Sequence, residues 1–564
     1  MSIINFKEAN CKNCYKCVRE CPVKSISVVS EQARILEKDC VLCGHCLFAC
    51  PQHAKEISNE VPVIKSFLEK GEKVYVSLAP SFPAYFNANI AQMSAAIKKL
   101  GFTAVEETAV GAARVSESYE NLIVEHKMKN IITTACPTVV MTVQKYFPEL
   151  IDYLAPVVSP VLAHTMAMKE AYGEDIKVVF VGPCISKKHD VIDVANEGIL
   201  SAVITFDELE EWLLQENIQI GEEDESQKGI RKPVARFYPV PGGIIKTISK
   251  DKRKIYRCMA VDGMDMCLGI LRSLKDESLE GYFIEMNACA GACVSGPGLK
   301  KTPFLKAKDD VYTSIDDCGD KDNFESDDEN VNISRKYVVL TSEEKQPTEE
   351  DIKRILAKIG KTTKEDELNC GSCGYNTCRD KAVAVFQGKA EVGMCIPYMR
   401  KKAESMSNQI IDASPTGIIA VNGDFIIQEA NPAACRLFNI TKSVFVGKNI
   451  FEVLPSDMYF DLQPSQVKTA KQHYDEYNLI AEQTVVRIGN TDSLIVMLKD
   501  ITDEEERQEN EQAMRNQTIE LTQKVIDKQM RVAQEIASLL GETTAETKVV
   551  LTKLKNSMTK ESKE

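Results

Sequence analysis

Residues 131–138 read IITTACPT: four β-branched residues, an alanine, then a cysteine followed at once by proline. β-Branched side chains fit strands, and proline cannot donate to a ladder, so the run ends at the sulfur. The same grammar recurs in VVFVGPCISKKHD, where Cys184 follows Gly-Pro after another β-rich run. Strands that stop at such turns belong at the C-terminal edge of a parallel sheet, where α/β proteins assemble their sites. A third sulfur-bearing stretch, EMNACAGACVSGPG, carries Cys289 and Cys293 among small residues. Taken singly, each of these cysteines reads equally well as a small buried hydrophobe.

The whole chain has 20 cysteines in 564 residues. No basic-then-apolar leader opens it and no run approaches the roughly 18 apolar residues of a span, so a cytoplasmic, membrane-free protein is expected. In a reducing compartment, cysteines at short repeated spacing are metal ligands rather than disulfides. A net charge of −14 with no basic stripe excludes nucleic acid as a partner. The length allows three or more domains.

The densest spacing lies at the N-terminus. Cys11-x2-Cys14-x2-Cys17-x3-Cys21-Pro is repeated as Cys40-x2-Cys43-x2-Cys46-x3-Cys50-Pro. In this two-cluster bacterial-ferredoxin pattern the fourth cysteine of each motif ligates the other cluster. Cys11, Cys14, Cys17 and Cys50 are therefore expected to hold one 4Fe–4S centre, and Cys40, Cys43, Cys46 and Cys21 the second. Two adjacent centres make a wire for electrons. Zinc, possible for any single CxxC pair, is disfavoured by two complete copies.

TTACP, PCISKK and NACAGAC-VSGPG, in that order and directly after a two-cluster ferredoxin domain, resemble the three signatures of the FeFe-hydrogenase catalytic domain (TSCCP, PCxxKK and a MACPGGC-like segment followed by glycines). The resemblance covers about residues 75–305. It implies that Cys136, Cys184, Cys289 and Cys293 bind the 4Fe–4S half of an H-cluster. Cys293 would bridge to the two-iron half with its CO and CN⁻ ligands. Lys187 matches the lysine that the family aims at a cyanide, where a point-charge donor stabilises an anionic group. A solvated lysine is the plain alternative.

The departures from the pattern are as informative. Where efficient members of the family carry a proton-passing cysteine, this chain has Ala135. A methyl group relays no proton, and a positioned acid or base contributes roughly 10²–10⁴ in rate. The family's two methionines fall at Gly182 and Asn287, and its acidic relay pair at Ser118-Tyr119. Ligands are kept while the proton path is dismantled; drift in a decayed enzyme that retains metal for folding is the competing reading.

Residues 306–345, with GDKDNFESDDENVN at their centre, read as a solvated linker. PTEEDIKRILAKIGK reads as an amphipathic helix. It leads to Cys370, Cys373, Cys378 and Cys395, spaced x2, x4 and x16, which suit zinc or a cubane. LNCGSCGYNTC…MCIP resembles the small 4Fe–4S domain of CO-dehydrogenase/acetyl-CoA synthase subunits, which implies a cubane, and AVAVFQGKAE reads as a helix between the sulfurs. Residues 402–502 resemble a PAS domain through ASPTGIIAVN with its Asn-Gly turn, the NPAACRLF helix and the closing VMLKDITDE, with a second turn at Gly489-Asn490. Its pocket ligand is unknown, and Cys435 lacks a flavin-photoreceptor context and reads as a core thiol. In 503–564, Met514, Leu521, Val525, Val532 and Leu539 fall on sevenfold and fourfold steps, as in a two-stranded coiled coil; a single solvated helix is the alternative. Cys258, Cys267 and Cys318 have no pattern around them.

The expected architecture is multidomain α/β and α+β: a ferredoxin domain (1–60), a hydrogenase-like α/β domain (70–305), an acidic linker (306–350), a single-cluster domain (351–401), a PAS domain (402–502) and a C-terminal coiled-coil helix (503–564). The expected function is H₂ sensing with slow turnover. H₂ and protons meet the H-cluster, a redox partner exchanges electrons, and a homodimer formed through PAS and coiled coil reports to an unidentified kinase or phosphatase. A working hydrogenase in an electron-transfer complex and a non-catalytic iron–sulfur scaffold are the alternatives.

Overall fold

A computed structural model describes residues 2–227, 234–276, 279–298, 303–316, 331–340, 345–460, 462–463, 466–489, 492–540 and 544–560. Cys318, the centre of the acidic stretch and Asn490 of the second PAS turn lie outside them. The chain folds as two compact units, Met1–Tyr398 and Met399–Glu564.

The N-terminal cysteine repeat becomes a structural repeat. Short helices Lys16–Glu20 and His45–Ala49 follow the same position of each motif, and both N-caps, Tyr15 and Gly44, take left-handed backbone. Ile4–Phe6 pairs antiparallel with Lys55–Ile57, closing the chain ends of this module, and Ile26–Val29 forms a hairpin with Gln32–Ile35.

Two parallel sheets follow. The first runs Ala104–Glu107, Val74–Leu78, Lys177–Gly182 and Ala202–Thr205, and the second Arg257–Asp262, Tyr282–Asn287 and Ile131–Ile132. Val74–Leu78 is buried at every residue, as expected of a parallel strand covered on both faces. Helices Ile90–Lys99, Ala109–Glu125, Pro137–Tyr146, Pro160–Tyr172 and Phe206–Gln215 fill the crossovers. The C-terminal ends of both sheets carry the isolated cysteines, the placement that the β-rich runs before Cys136 and Cys184 predicted.

The expected linker needs correcting. Phe304–Asp316 is a helix whose Ala307, Val311 and Ile315 pack with Ala84, Val240 and Val294. Further on, Val158 N–H donates to Ile333 and Leu340 N–H to Gln144, at 3.0 and 2.9 Å. Arg335 meets Asp193 and Asn196, at 2.6 and 2.7 Å. The many charges concealed a helical period of apolar residues that the tertiary core covers.

Helices Glu349–Lys358 and Cys378–Phe386 each begin with a threonine capping box, Thr348 with Asp351 and Thr377 with Asp380. This small module rests on the ferredoxin repeat. A Cβ on Gly374 would lie 3.0 Å from Val18 Cβ, and Lys24 Nζ donates to the Gly374 carbonyl at 2.9 Å.

In the second unit an antiparallel sheet of order Ile427–Ala430, Gly417–Val421, Leu494–Asp500, Leu479–Arg487, Val467–Tyr474 encloses its own core, as a PAS fold requires. Cys435 packs at the margin of that core. The tail forms two helices rather than one, Thr502–Leu540 and Thr544–Lys560. Along the first, Met514, Leu521, Val525 and Val532 are exposed, the stripe the heptad steps anticipate.

Candidate metal centres

Cys136 ends the turn after Ile131–Ile132, and the prolyl residue behind it opens the helix Pro137–Tyr146 at a position that needs no N–H. Cys184 follows Lys177–Gly182, while Cys289 and Cys293 follow Tyr282–Asn287. These four sulfur residues, distant in sequence, line one cavity that is partly open to solvent. Lys187, Ala135, Asn287, Ser81, Phe180 and Tyr238 share its wall.

Burial pushes the Cys136, Cys289 and Cys293 thiols up, and neighbouring cysteine sulfurs add to the effect. Buried thiols this close stay protonated until a cation neutralises them, so metal binding here must release protons. Lys187 is only 7 % exposed, so it is no solvated lysine; its Nζ donates to Asp190 Oδ2 at 3.1 Å, which also accepts from Ser159. The Ser81 hydroxyl is buried and finds no protein partner among the described residues. Four thiols, one buried ammonium and one orphaned hydroxyl on a mostly apolar wall fit a sulfur-ligated group that brings polar atoms of its own. Among the described residues no set of three or more His, Cys, Asp or Glu is gathered tightly enough for a single ion. A cubane, whose thiolates sit at separate corners, needs a wider spread.

The altered positions have structural reasons. At Gly182 a Cβ would lie 2.5 Å from the Phe180 ring and 2.9 Å from Ala79 Cβ, so the phenyl ring occupies the space a methionine would need. Asn287 reaches back to Glu285 Oε1 at 3.4 Å. Tyr119, fully buried, is fixed by the Thr134 N–H at 2.9 Å, and burial raises its hydroxyl to about 12. Neither it nor Ser118 is an acid near neutral pH, and neither lines the cavity.

Sequence reasoning passed over Ser81, Phe180 and Glu285. Ser81 was recoverable, since LAPS closes the strand Val74–Leu78 at the same sheet edge as the cysteines. Glu285 was not, because one carboxylate inside a strand has no motif. It is fully buried, accepts the Ile245 N–H at 3.0 Å, and burial raises its carboxyl to about 7.

Cys21, Cys40, Cys43 and Cys46 line a second, small cavity, the same four that the crossed ferredoxin pattern pairs. Backbone N–H groups of Ser25 and Leu42 point at Cys21 and Cys40 sulfurs from 3.3 and 3.4 Å. Cys43 also belongs to the wall of the large cavity. Of the other ferredoxin set, Cys17 and Cys50 are buried, Cys11 is half-buried and Cys14 exposed. A third cavity is lined by Cys370, Cys373, Cys378 and Cys395 with Lys381 and Tyr375. Lys381 donates to the Val392 carbonyl at 2.8 Å, and burial lowers its ammonium. Cys258 and Cys267 line none of these cavities.

Comparison with known families gives four matches along the chain. Residues 3–61 match the 4Fe-4S dicluster domain, 72–297 the C-terminal domain of the iron-only hydrogenase large subunit, 366–397 a putative Fe-S cluster domain, and 405–509 the PAS fold. The class is thus defined: an iron–sulfur protein that carries a hydrogenase large-chain domain and a PAS domain. Among curated proteins the chain is similar to iron hydrogenase 1 of Clostridium pasteurianum, 24 % identical over 319 residues that cover 46 % of this chain and 55 % of that enzyme. A 50-residue segment is 42 % identical to the B component of the ion-translocating oxidoreductase complex of Methanosarcina acetivorans, covering 9 % of this chain and 19 % of that component. The chain thus spans about half the length of the hydrogenase it matches. Among solved structures, an FeFe-hydrogenase of Chlamydomonas reinhardtii matches with 15 % identity and a TM-score of 0.41, over 50 % of this chain and all of that one. A PAS domain from Haloarcula marismortui matches with 18 % identity and a TM-score of 0.17, over 19 % and 97 %. No helix among the described residues is long and apolar enough to cross a membrane.

Proposed function

We propose that this chain senses H₂ through an H-cluster held by Cys136, Cys184, Cys289 and Cys293, with low turnover and a PAS-linked output. The observation that carries the reading is a single cavity lined by all four cysteines and Lys187, with Ala135 in its wall where a proton-passing thiol is expected. When bound, the group supplies reversible H₂ chemistry. Cys136, Cys184, Cys289 and Cys293 would hold it by sulfur, Lys187 would supply a cation beside it, and the mostly apolar wall would shield it. Cys43, shared between this cavity and the ferredoxin one, supports electron exchange with the cluster of Cys21, Cys40, Cys43 and Cys46. The cluster of Cys11, Cys14, Cys17 and Cys50 and that of Cys370, Cys373, Cys378 and Cys395 complete the chain's centres. The signal would leave through a PAS and coiled-coil homodimer to a kinase or phosphatase.

The test is the infrared spectrum of matured protein titrated with H₂. Bands of CO and CN⁻ that shift with H₂ are expected; their absence leaves only the iron–sulfur scaffold. Ala135→Cys should then raise H₂ turnover by roughly 10²-fold or more. Fast turnover in the unaltered protein, with no gain from the added thiol, would make it a working hydrogenase.

A further inference from the structure

With alanine beside Cys136, protons need another way in and out of the cavity, and a line of polar groups leads away from its wall. It starts at Thr108, buried in the cavity wall. Thr108 is the N-cap of helix Ala109–Glu125, yet its side chain makes no cap bond, although such a bond contributes about 1 kcal/mol. Its hydroxyl lies instead 2.8 Å from Ser77 Oγ. Ser77 Oγ lies 2.8 Å from His164 Nδ1, and His164 Nε2 lies 3.2 Å from Glu106 Oε2. Tyr172, 46 % exposed, donates to Glu106 Oε1 at 2.6 Å. Ser77 and His164 are fully buried, whereas the Glu106 side chain keeps 29 % of its surface in water.

Each link is placed by the backbone. Ser77 is the polar residue of the buried strand Val74–Leu78. His164 comes near because helix Pro160–Tyr172 packs against Gly111, where a Cβ would lie 2.6 Å from His164 Cβ. A polar network that only held the fold together would close on itself. This one has one end on the cysteine-lined cavity and the other at solvent.

We infer that Thr108, Ser77, His164 and Glu106 form a proton route between the cavity and solvent, standing in for the thiol and acidic pair this chain lacks. The inference rests on the proposed function, since a proton must move only if the cavity holds the H₂-reactive group. A proton from the cavity bonds to Thr108 Oγ1 as the Thr108 hydroxyl proton passes to Ser77 Oγ and the Ser77 proton to Nδ1 of neutral His164. The Nε2 proton goes to the Glu106 carboxylate and from there to water. One proton enters, one leaves and no electrons move. Glu106, within hydrogen-bond reach of His164 and Tyr172 and partly in water, is the outer acceptor of the line. Each passage leaves the imidazole in its other tautomer, and the ring must turn before the next. Such a route is slow, as a sensor tolerates.

The test uses matured full-length protein whose infrared spectrum shows the CO and CN⁻ bands. Thr108→Val and Ser77→Ala are compared, singly and together, by H₂/D₂O exchange and by relaxation of the infrared bands after a pH jump. Each variant should slow both by roughly 10²-fold, the scale of a lost acid–base step. The double variant should be no slower than the slower single one, because the links lie in series. In unloaded protein, the His164 ring nitrogen-15 resonances should move in Thr108→Val, although that residue does not touch the ring. Unchanged exchange with intact bands, multiplicative losses in the double variant, loss of the bands in both variants, or unmoved His164 resonances would each overturn the route. Absence of the bands from the unaltered protein would overturn the proposed function itself.

Discussion

The cysteine-lined cavity and the PAS core are both buried, and they treat their polar groups in opposite ways. In the PAS core, fully buried Gln483 accepts from Tyr474 at 2.5 Å and donates to Tyr459 at 3.1 Å, and Tyr459 donates to the Leu454 carbonyl at 2.8 Å. Every member has a partner, as a network kept for folding requires. In the cavity, crowded thiols are held protonated by burial and the Ser81 hydroxyl has no partner among the described residues. A folded chain leaves such groups unsatisfied where something else is to satisfy them. The PAS core is complete as it stands; the cavity is a socket.

The sharpest way to break this contrast is to remove a thiol. Cys293→Ser should abolish the infrared bands of matured protein and lower its iron content, while circular dichroism and the unfolding of the PAS unit stay unchanged. Retained bands would show that Cys293 is not a ligand.

The next effect is on pH. Burial pushes the Glu285 carboxyl up to about 7, although four backbone N–H groups oppose the rise, and Tyr119, Tyr238 and Cys293 are its ionisable neighbours. A raised carboxyl binds its proton more tightly when folded. The stability it confers is therefore full below the unfolded value of 4.5 and lost as pH rises through about 7. The total is roughly 3 kcal/mol. Urea unfolding of unloaded protein should show this fall between pH 5 and pH 8, and Glu285→Gln should flatten it.

In the PAS core, Gln483→Leu should cost about 1–3 kcal/mol by stranding the Tyr474 hydroxyl, read as a lower denaturation midpoint for that unit with the infrared bands untouched. Smallest, Thr348→Ala removes a capping box on an exposed helix start and should cost about 1 kcal/mol, visible in thermal unfolding of the first unit.

The contrast also marks what could be read in advance. Local spacing is enough where ligands are neighbours in the chain. Cys11 to Cys50 and Cys370 to Cys395 announce themselves because most of each set lies at short, regular spacing along the chain. Strand and turn periodicity likewise carries the parallel sheets and the PAS hairpin. Packing decided the rest. The acidic stretch contained the helix Phe304–Asp316, whose buried Ala307, Val311 and Ile315 are outnumbered by charges in any composition window. Gly182 looked like a lost methionine until the Phe180 ring was found to fill its space.

By itself, then, the amino-acid sequence determined the cysteine spacings, the order of the motifs and the alanine beside Cys136, because each of these is a property of residues along the chain. Only the tertiary structure decided that four remote cysteines share one cavity, that Lys187 is buried at its wall, and that Thr108, Ser77, His164 and Glu106 line up toward solvent. Those relations join separate strands and helices, and burial and hydrogen-bond geometry exist only once the elements have packed.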